Sequence, residues 1–166
     1  YLLRNQGELT VDGVELVVPA NGTGITASNA TPGMDNKVTV KNSHIDVTAA
    51  GAEGIRMTNL GSLVPVLDFT NSTMEVGNGT DTTAMGIQTL GGTVTITGTD
   101  TEITVNSGTG ILADDNGNSI DGIVNANGGT MTVSGSAKGI AVEGGGDVTM
   151  NGMGMTLSNA NGATGI

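Results

Sequence analysis

The sequence predicts an all-β protein, a right-handed parallel β-helix of about six three-strand coils of 26–29 residues. Three observations carry this. The dipeptide Gly-Ile recurs at Gly24-Ile25, Gly54-Ile55, Gly86-Ile87, Gly110-Ile111, Gly139-Ile140 and Gly165-Ile166. Between these marks lie two short apolar–polar alternations per repeat. Gly, Asn and Thr fill the intervals, and no stretch carries a helical period. A recurrence of this length is the signature of a solenoid, and parallel strands joined by crossovers take the right-handed path.

At the first site of each repeat the apolar pairs are Leu9/Val11, Val38/Val40, Leu67/Phe69 and Val94/Ile96, then Ile120 alone, then Val148/Met150. Their starts are 29, 29, 27, 26 and 28 residues apart. The second-site pairs are Leu16/Val18, Ile45/Val47, Met74/Val76, Ile103/Val105, Met131/Val133 and Met155/Leu157. Alternation at period two marks a strand with one buried face. One repeat cannot bury that face alone; stacking sets like strands about 4.8 Å apart and joins the faces into a continuous column. The glycine before each isoleucine is expected to let the backbone turn closely at a corner. The first side is expected to be the more regular. Surface connections are expected at 28–37, 58–65, 77–83 and 125–129. Met153 falls in a turn between two strands.

Composition narrows the function. The chain has 29 Gly, one Phe, one Tyr and no Trp, so its core must be aliphatic. Five basic residues against 16 acidic ones give a formal charge of −11. A nucleic-acid binder needs a cationic stripe to displace counterions, and none is present. An anionic membrane surface would repel the chain, and no apolar run is long enough for a membrane helix, so direct membrane insertion by this segment is not expected. There are no cysteines, which removes disulfides and thiolate metal sites. The chain opens on Tyr1 and closes within a repeat, so residues 1–166 read as a single β-helix segment of a longer protein.

Residues 37–55 (KVTVKNSHIDVTAAGAEGI) and 92–111 (GTVTITGTDTEITVNSGTGI) resemble the passenger domains of pertactin-like autotransporters of Gram-negative bacteria. The resemblance is one of repeat style and spans nearly the whole chain. It implies a β-helix carried through the outer membrane by a C-terminal barrel, displayed on the extracellular face or secreted. It further implies adhesion or self-association, with a host surface protein, a glycan or another copy as partner. The aromatic girdles of such a barrel are absent from this sequence.

Several residues are candidates for chemistry. The outward middle positions of the first side form a candidate interaction face: Thr10, Thr39, Asp68, Thr95, Asp121 and Thr149. Those of the second side are Val17, Asp46, Glu75, Thr104, Thr132 and Thr156, which makes Asp46 and Glu75 neighbours on adjacent coils. That pair has the composition of an acid/base couple or a cation site, and equally of two solvated carboxylates. His44, the single histidine, precedes inward Ile45 and should face outward or sit at a corner. One histidine without a nucleophile motif makes no triad. Asp114, Asn116 and Asn118 offer alternate oxygen ligands as a calcium loop does, but Ser119 stands where the sharp-turn glycine belongs and Asn125 where the closing acid belongs. No cofactor and no catalytic set is expected.

Four functions fit such a chain. Adhesion or self-association would use the extended Thr/Asn/Asp faces for many weak contacts. A passive stalk needs only the stable stack. A glycan-active β-helix enzyme would need clustered Asp, Lys and Arg on one face. An ice-binding solenoid would need an unbroken Thr ladder, which Asp68 and Asp121 interrupt.

Overall fold

The computed structural model describes residues 2–29, 36–61, 63–115, 117, 120–158 and 162–166. Among them every regular element is a strand. The chain winds through layers of three. The first layer is β1 (Leu3–Asn5), β2 (Glu8–Asp12) and β3 (Glu15–Val17); the second is β4 (Thr23–Asn29), β5 (Lys37–Lys41) and β6 (His44–Val47). The third is β7 (Glu53–Asn59), β8 (Val66–Thr70) and β9 (Thr73–Val76); the fourth is β10 (Met85–Leu90), β11 (Thr93–Thr97) and β12 (Glu102–Val105). The fifth is β13 (Thr109–Asp114), β14 (Ile123–Ala126) and β15 (Thr130–Ser134); the sixth is β16 (Lys138–Val142), β17 (Asp147–Met150) and β18 (Gly154–Ser158).

Like strands stack into three six-stranded parallel sheets, in the orders β1-β4-β7-β10-β13-β16, β2-β5-β8-β11-β14-β17 and β3-β6-β9-β12-β15-β18. We call these the first, second and third sheets. The protein is therefore a β-solenoid with three strands per coil. Six layers at about 4.8 Å span roughly 25–30 Å.

The core is the tube between the sheets. In the second sheet Val38, Leu67 and Val94 occupy one register position on β5, β8 and β11, and all are fully buried. Phe69, the single phenylalanine, lies between Val40 and Ile96 in the next inward column. In the third sheet Leu16, Ile45, Met74, Ile103, Met131 and Met155 hold one position through every layer. Leu3, Ile25, Ile55, Ile87, Ile111 and Ile140 do the same in the first. Each such side chain contributes about 1.5–3 kcal/mol when fully buried.

The glycines before these isoleucines act differently from the expectation. They lie within the strands, and none has positive φ. What they supply is absence of a Cβ. A Cβ on Gly24 would stand 2.7 Å from Gly54 O and 2.9 Å from Val18 Cγ2; one on Gly110 would stand 2.7 Å from Gly139 O and 2.7 Å from Val105 Cγ2. The glycine column is a seam where each coil meets the next backbone to backbone, walled by the second valine of the third-sheet pair. True left-handed backbone occurs at the corner between the second and third sheets, at Gly13, Asn42, Asn71 and Gly98. Asparagine tolerates that region better than other residues with side chains.

That corner also satisfies itself. Ser43 Oγ donates to Lys41 O at 2.8 Å and accepts from Val14 N at 3.1 Å; Ser72 Oγ donates to Thr70 O at 2.9 Å and accepts from Ser43 N at 3.1 Å. The hydroxyls thus add to the backbone bonds that link coil to coil at this corner, among them Thr73 N to Ser43 O at 2.9 Å.

Two sequence expectations need correction. The fifth-layer member of the second sheet is Val124, not Ile120: Val124 pairs with Val94 on one side and Val148 on the other, and Ala126 follows it inward. Ile120 belongs to the connection between β13 and β14 and packs beside Gly91, whose Cβ would stand 3.6 Å from Ile120 Cβ. The fifth layer's long connection is accordingly 115–122, and Asn125 and Ala126 are strand residues rather than a turn. Met153 sits in its turn as expected, but its side chain is buried in the core of the last layer.

Candidate functional site

The outer face of the second sheet presents the middle residues of its six strands in one line: Thr10, Thr39, Asp68, Thr95, Asn125 and Thr149. Five of the six expected members stand there. Asp121 does not; it precedes β14, in the connection, and Asn125 takes its place because the strand begins later than the apolar spacing suggested. The end members Thr10 and Thr149 are exposed and the four between them half-exposed.

Cross-strand pairs pin the first three layers of this face. Lys37 Nζ lies 2.9 Å from Asp68 Oδ2, bridging β5 to β8. Lys41 Nζ lies 3.2 Å from Asp12 Oδ2, bridging β5 to β2, and Asn42 Nδ2 donates to Asp12 Oδ1 at 2.9 Å. The hydrogen bond to Asp68 raises the Lys37 ammonium above its ordinary value, with the carboxylate's charge adding to it. The Asn42 amide, then the Lys41 ammonium, hold the Asp12 carboxyl below the usual carboxylate range. Exposed pairs of this kind contribute little to stability; their effect is to fix long side chains flat along the sheet. In the fourth layer the face is all hydroxyl, with Thr93, Thr95 and Thr97 pointing outward.

The other candidates lie on the third sheet. Asp46 and Glu75 are aligned neighbours on β6 and β9. Each is engaged with its own corner. Asp46 Oδ1 accepts from Thr48 N at 2.9 Å and Thr48 Oγ1 at 2.6 Å, while Glu75 Oε1 accepts from Asn106 Nδ2 at 2.9 Å. His44 is half-buried at the start of β6, between Glu15 and Thr73, with Nδ1 2.7 Å from Thr73 Oγ1. It faces outward into an open groove that also contains Glu15, Asn42 and Asn71.

Of the calcium-like loop, Asn116 and Asn118 lie outside the described residues. Asp114 Oδ1 accepts from Asp115 N at 2.8 Å, and Asp115 Oδ1 accepts from Gly117 N at 2.7 Å, so both carboxylates shape the connection. Among the described residues no group of three or more His, Cys, Asp or Glu side chains could hold a metal ion.

What sequence reasoning missed on the face is Asn125 and the ion pairs. Asn125 sits between Val124 and Ala126, and the small alanine weakens the alternation that would have marked the strand. The pairing of Lys37 with Asp68, on strands a whole coil apart, needs the register itself. No family model, no curated protein and no solved structure matches the chain.

Proposed function

We propose that the chain is a segment of a bacterial cell-surface passenger of the pertactin-like kind, acting in adhesion or self-association through the outer face of its second sheet. The observation that carries this reading is the in-register line Thr10–Thr39–Asp68–Thr95–Asn125–Thr149. It sets a polar group every strand spacing, about 4.8 Å, along the length of the solenoid. A periodic row of short hydroxyl, amide and carboxylate groups suits many weak hydrogen bonds to a repeating partner, such as a glycan chain or the same face of another copy. Rows of this kind gain strength by multivalency, since each contact raises the effective concentration of the next. The cross-strand pairs of Lys37 and Lys41 support it further, because side chains already held flat lose less entropy on contact. Display on the extracellular side of a Gram-negative outer membrane, or secretion, belongs to the same proposal.

The test is the triple substitution Thr39→Lys, Thr95→Lys and Thr149→Lys in the protein displayed on cells. Cell settling or host-cell binding should be lost while the melting temperature stays close to that of the parent. Retention of both activities by the folded variant would remove this face from the mechanism.

A further inference from the structure

The connection between β9 and β10 holds an arrangement that suits a different chemistry. Asn78 is exposed there and is followed by Gly79. Its side-chain carbonyl, Oδ1, accepts three hydrogen bonds: from Thr80 N at 3.0 Å, Thr80 Oγ1 at 2.8 Å and Asp81 N at 3.0 Å. Gly79 N donates to Ser107 Oγ, on the next coil, at 3.2 Å. Ser107 is buried, so that acceptor is fixed in place. Gly79 itself has φ of +89° and open space around its Cα.

We propose that Asn78-Gly79 is the site at which this chain modifies itself, by succinimide formation and hydrolysis. Gly79 N gives up its proton and attacks Asn78 Cγ, forming a Cγ–N bond. The negative charge that develops rests on Oδ1, where two backbone N–H groups and one hydroxyl already point. Donors aimed at a developing oxyanion need no reorganisation, which is why such groupings lower barriers in acyl-transfer sites. Ser107 Oγ stands on the path along which the Gly79 proton leaves. Collapse of the tetrahedral species breaks the Cγ–Nδ2 bond, and Nδ2 leaves with protons from solvent as ammonia. Water then adds to one of the two ring carbonyls. Opening on one side gives aspartate; opening on the other gives isoaspartate, with the main chain running through Cβ. The net change is asparagine plus water to a carboxylic acid plus ammonia, with no redox partner.

The chain has six Asn-Gly steps, and the others lack this arrangement or fall outside it. At Asn21 the attacking N–H is held by a backbone carbonyl, Pro19 O at 2.9 Å, where Gly79 N–H meets a hydroxyl that can pass the proton on. The Asn116 and Asn161 steps begin outside the described residues. Asn127 and Asn151 are exposed and serve as internal references. The consequence is local. A carboxylate at position 78 would face Glu75 and the Asn106 amide in the groove they share, and an isoaspartate would lengthen the crossing from the third coil to the fourth.

The experiment follows the folded protein in mildly alkaline buffer, with peptide mapping by mass spectrometry and enzymatic labelling of isoaspartate. Asn78 should gain the mass of an NH2-to-OH exchange first, about tenfold or more ahead of Asn127 and Asn151, a ratio equivalent to about 1.4 kcal/mol of barrier. In denaturant the three rates should converge. Thr80→Val, which removes the hydroxyl donor and keeps the branched side chain, should slow Asn78 alone by about threefold to tenfold. The proposal is overturned if Asn78 in the folded parent converts no faster than Asn127 and Asn151, a result independent of whether any variant folds. It is also overturned if folded Thr80→Val converts at the parent rate.

Discussion

Gly54 lies directly against the carbonyl of Gly86 on the following coil: a Cβ built on Gly54 would stand 2.6 Å from Gly86 O, with Val47 Cγ2 at 2.9 Å on the other side. The nearest atom is backbone, so no side-chain rotation relieves the contact. Gly54→Ala should therefore force the third and fourth coils apart and cost about 1–3 kcal/mol or more, as overpacking does. Gly7 is the control. A Cβ there meets nothing within 4 Å, and its φ lies outside the left-handed region. Gly7→Ala should be neutral or add about 0.4–1 kcal/mol by narrowing the unfolded ensemble. Urea midpoints measure both. If Gly54→Ala unfolds at the parent midpoint, the glycine seam is not a packing requirement.

The second-sheet column predicts a gradient from middle to end. Leu67 is fully buried between Val38 and Val94. Leu67→Ala should cost about 2–5 kcal/mol, the range for a large-to-small change in a core that cannot collapse. Val148→Ala, in the half-buried last layer, should cost less. Leu60, 59% exposed on the connection before β8, should be tolerated within about 0.5 kcal/mol when changed to Ala. Equal losses at Leu67 and Leu60 would contradict a tube-shaped core.

Asp81 ties the connection between β9 and β10 to the preceding coil. Its Oδ1 accepts from Thr83 Oγ1 at 2.7 Å and Thr83 N at 3.0 Å, and its Oδ2 accepts from Gly51 N at 2.9 Å. The Thr83 hydroxyl, then the Thr83 and Gly51 amides, hold its carboxyl below the usual carboxylate range. Because the folded value is the lower one, the contribution is complete above the unfolded value and fades as pH falls through the folded one. Amide exchange at Gly51, corrected for its intrinsic pH dependence, should lose protection only in that acid range. In Asp81→Asn the acid step should disappear, with Gly51 already less protected at neutral pH. An unchanged acid step in the variant would assign it to another carboxylate.

The sequence carried the third sheet completely because each of its pairs, from Leu16/Val18 to Met155/Leu157, places large apolar residues at both inward positions. The second sheet was legible for the same reason until the fifth layer, where Ala126 replaces a large residue and Ile120 offers a rival at a plausible spacing. Hydrophobic pattern alone favours the larger side chain; only backbone pairing shows that Ile120 packs beside Gly91 instead. The glycine seam was visible as a repeat but not as a mechanism, since a close approach and a left-handed turn leave the same residue in the sequence. On the face, Thr39, Asp68 and Thr95 followed directly from alternation. The Lys37–Asp68 pair did not, because both belong to outward columns that alternation cannot place side by side.

The register correction is itself testable by placing a charge at each rival position. Val124 is fully buried between Val94 and Val148, and a carboxylate there would have no partner. Val124→Asp should cost several kcal/mol, the penalty for a buried unpaired charge, and unfold at least the last two layers. Ile120 is half-buried on the connection, where a carboxylate can turn to solvent. Ile120→Asp should lose mainly its contact with Gly91 and leave the strands protected. Amide exchange on β14 and β17 separates the two outcomes, because protection there depends on the second sheet remaining paired. Loss of that protection in Ile120→Asp, together with its survival in Val124→Asp, would reinstate Ile120 as the inward residue of the fifth layer.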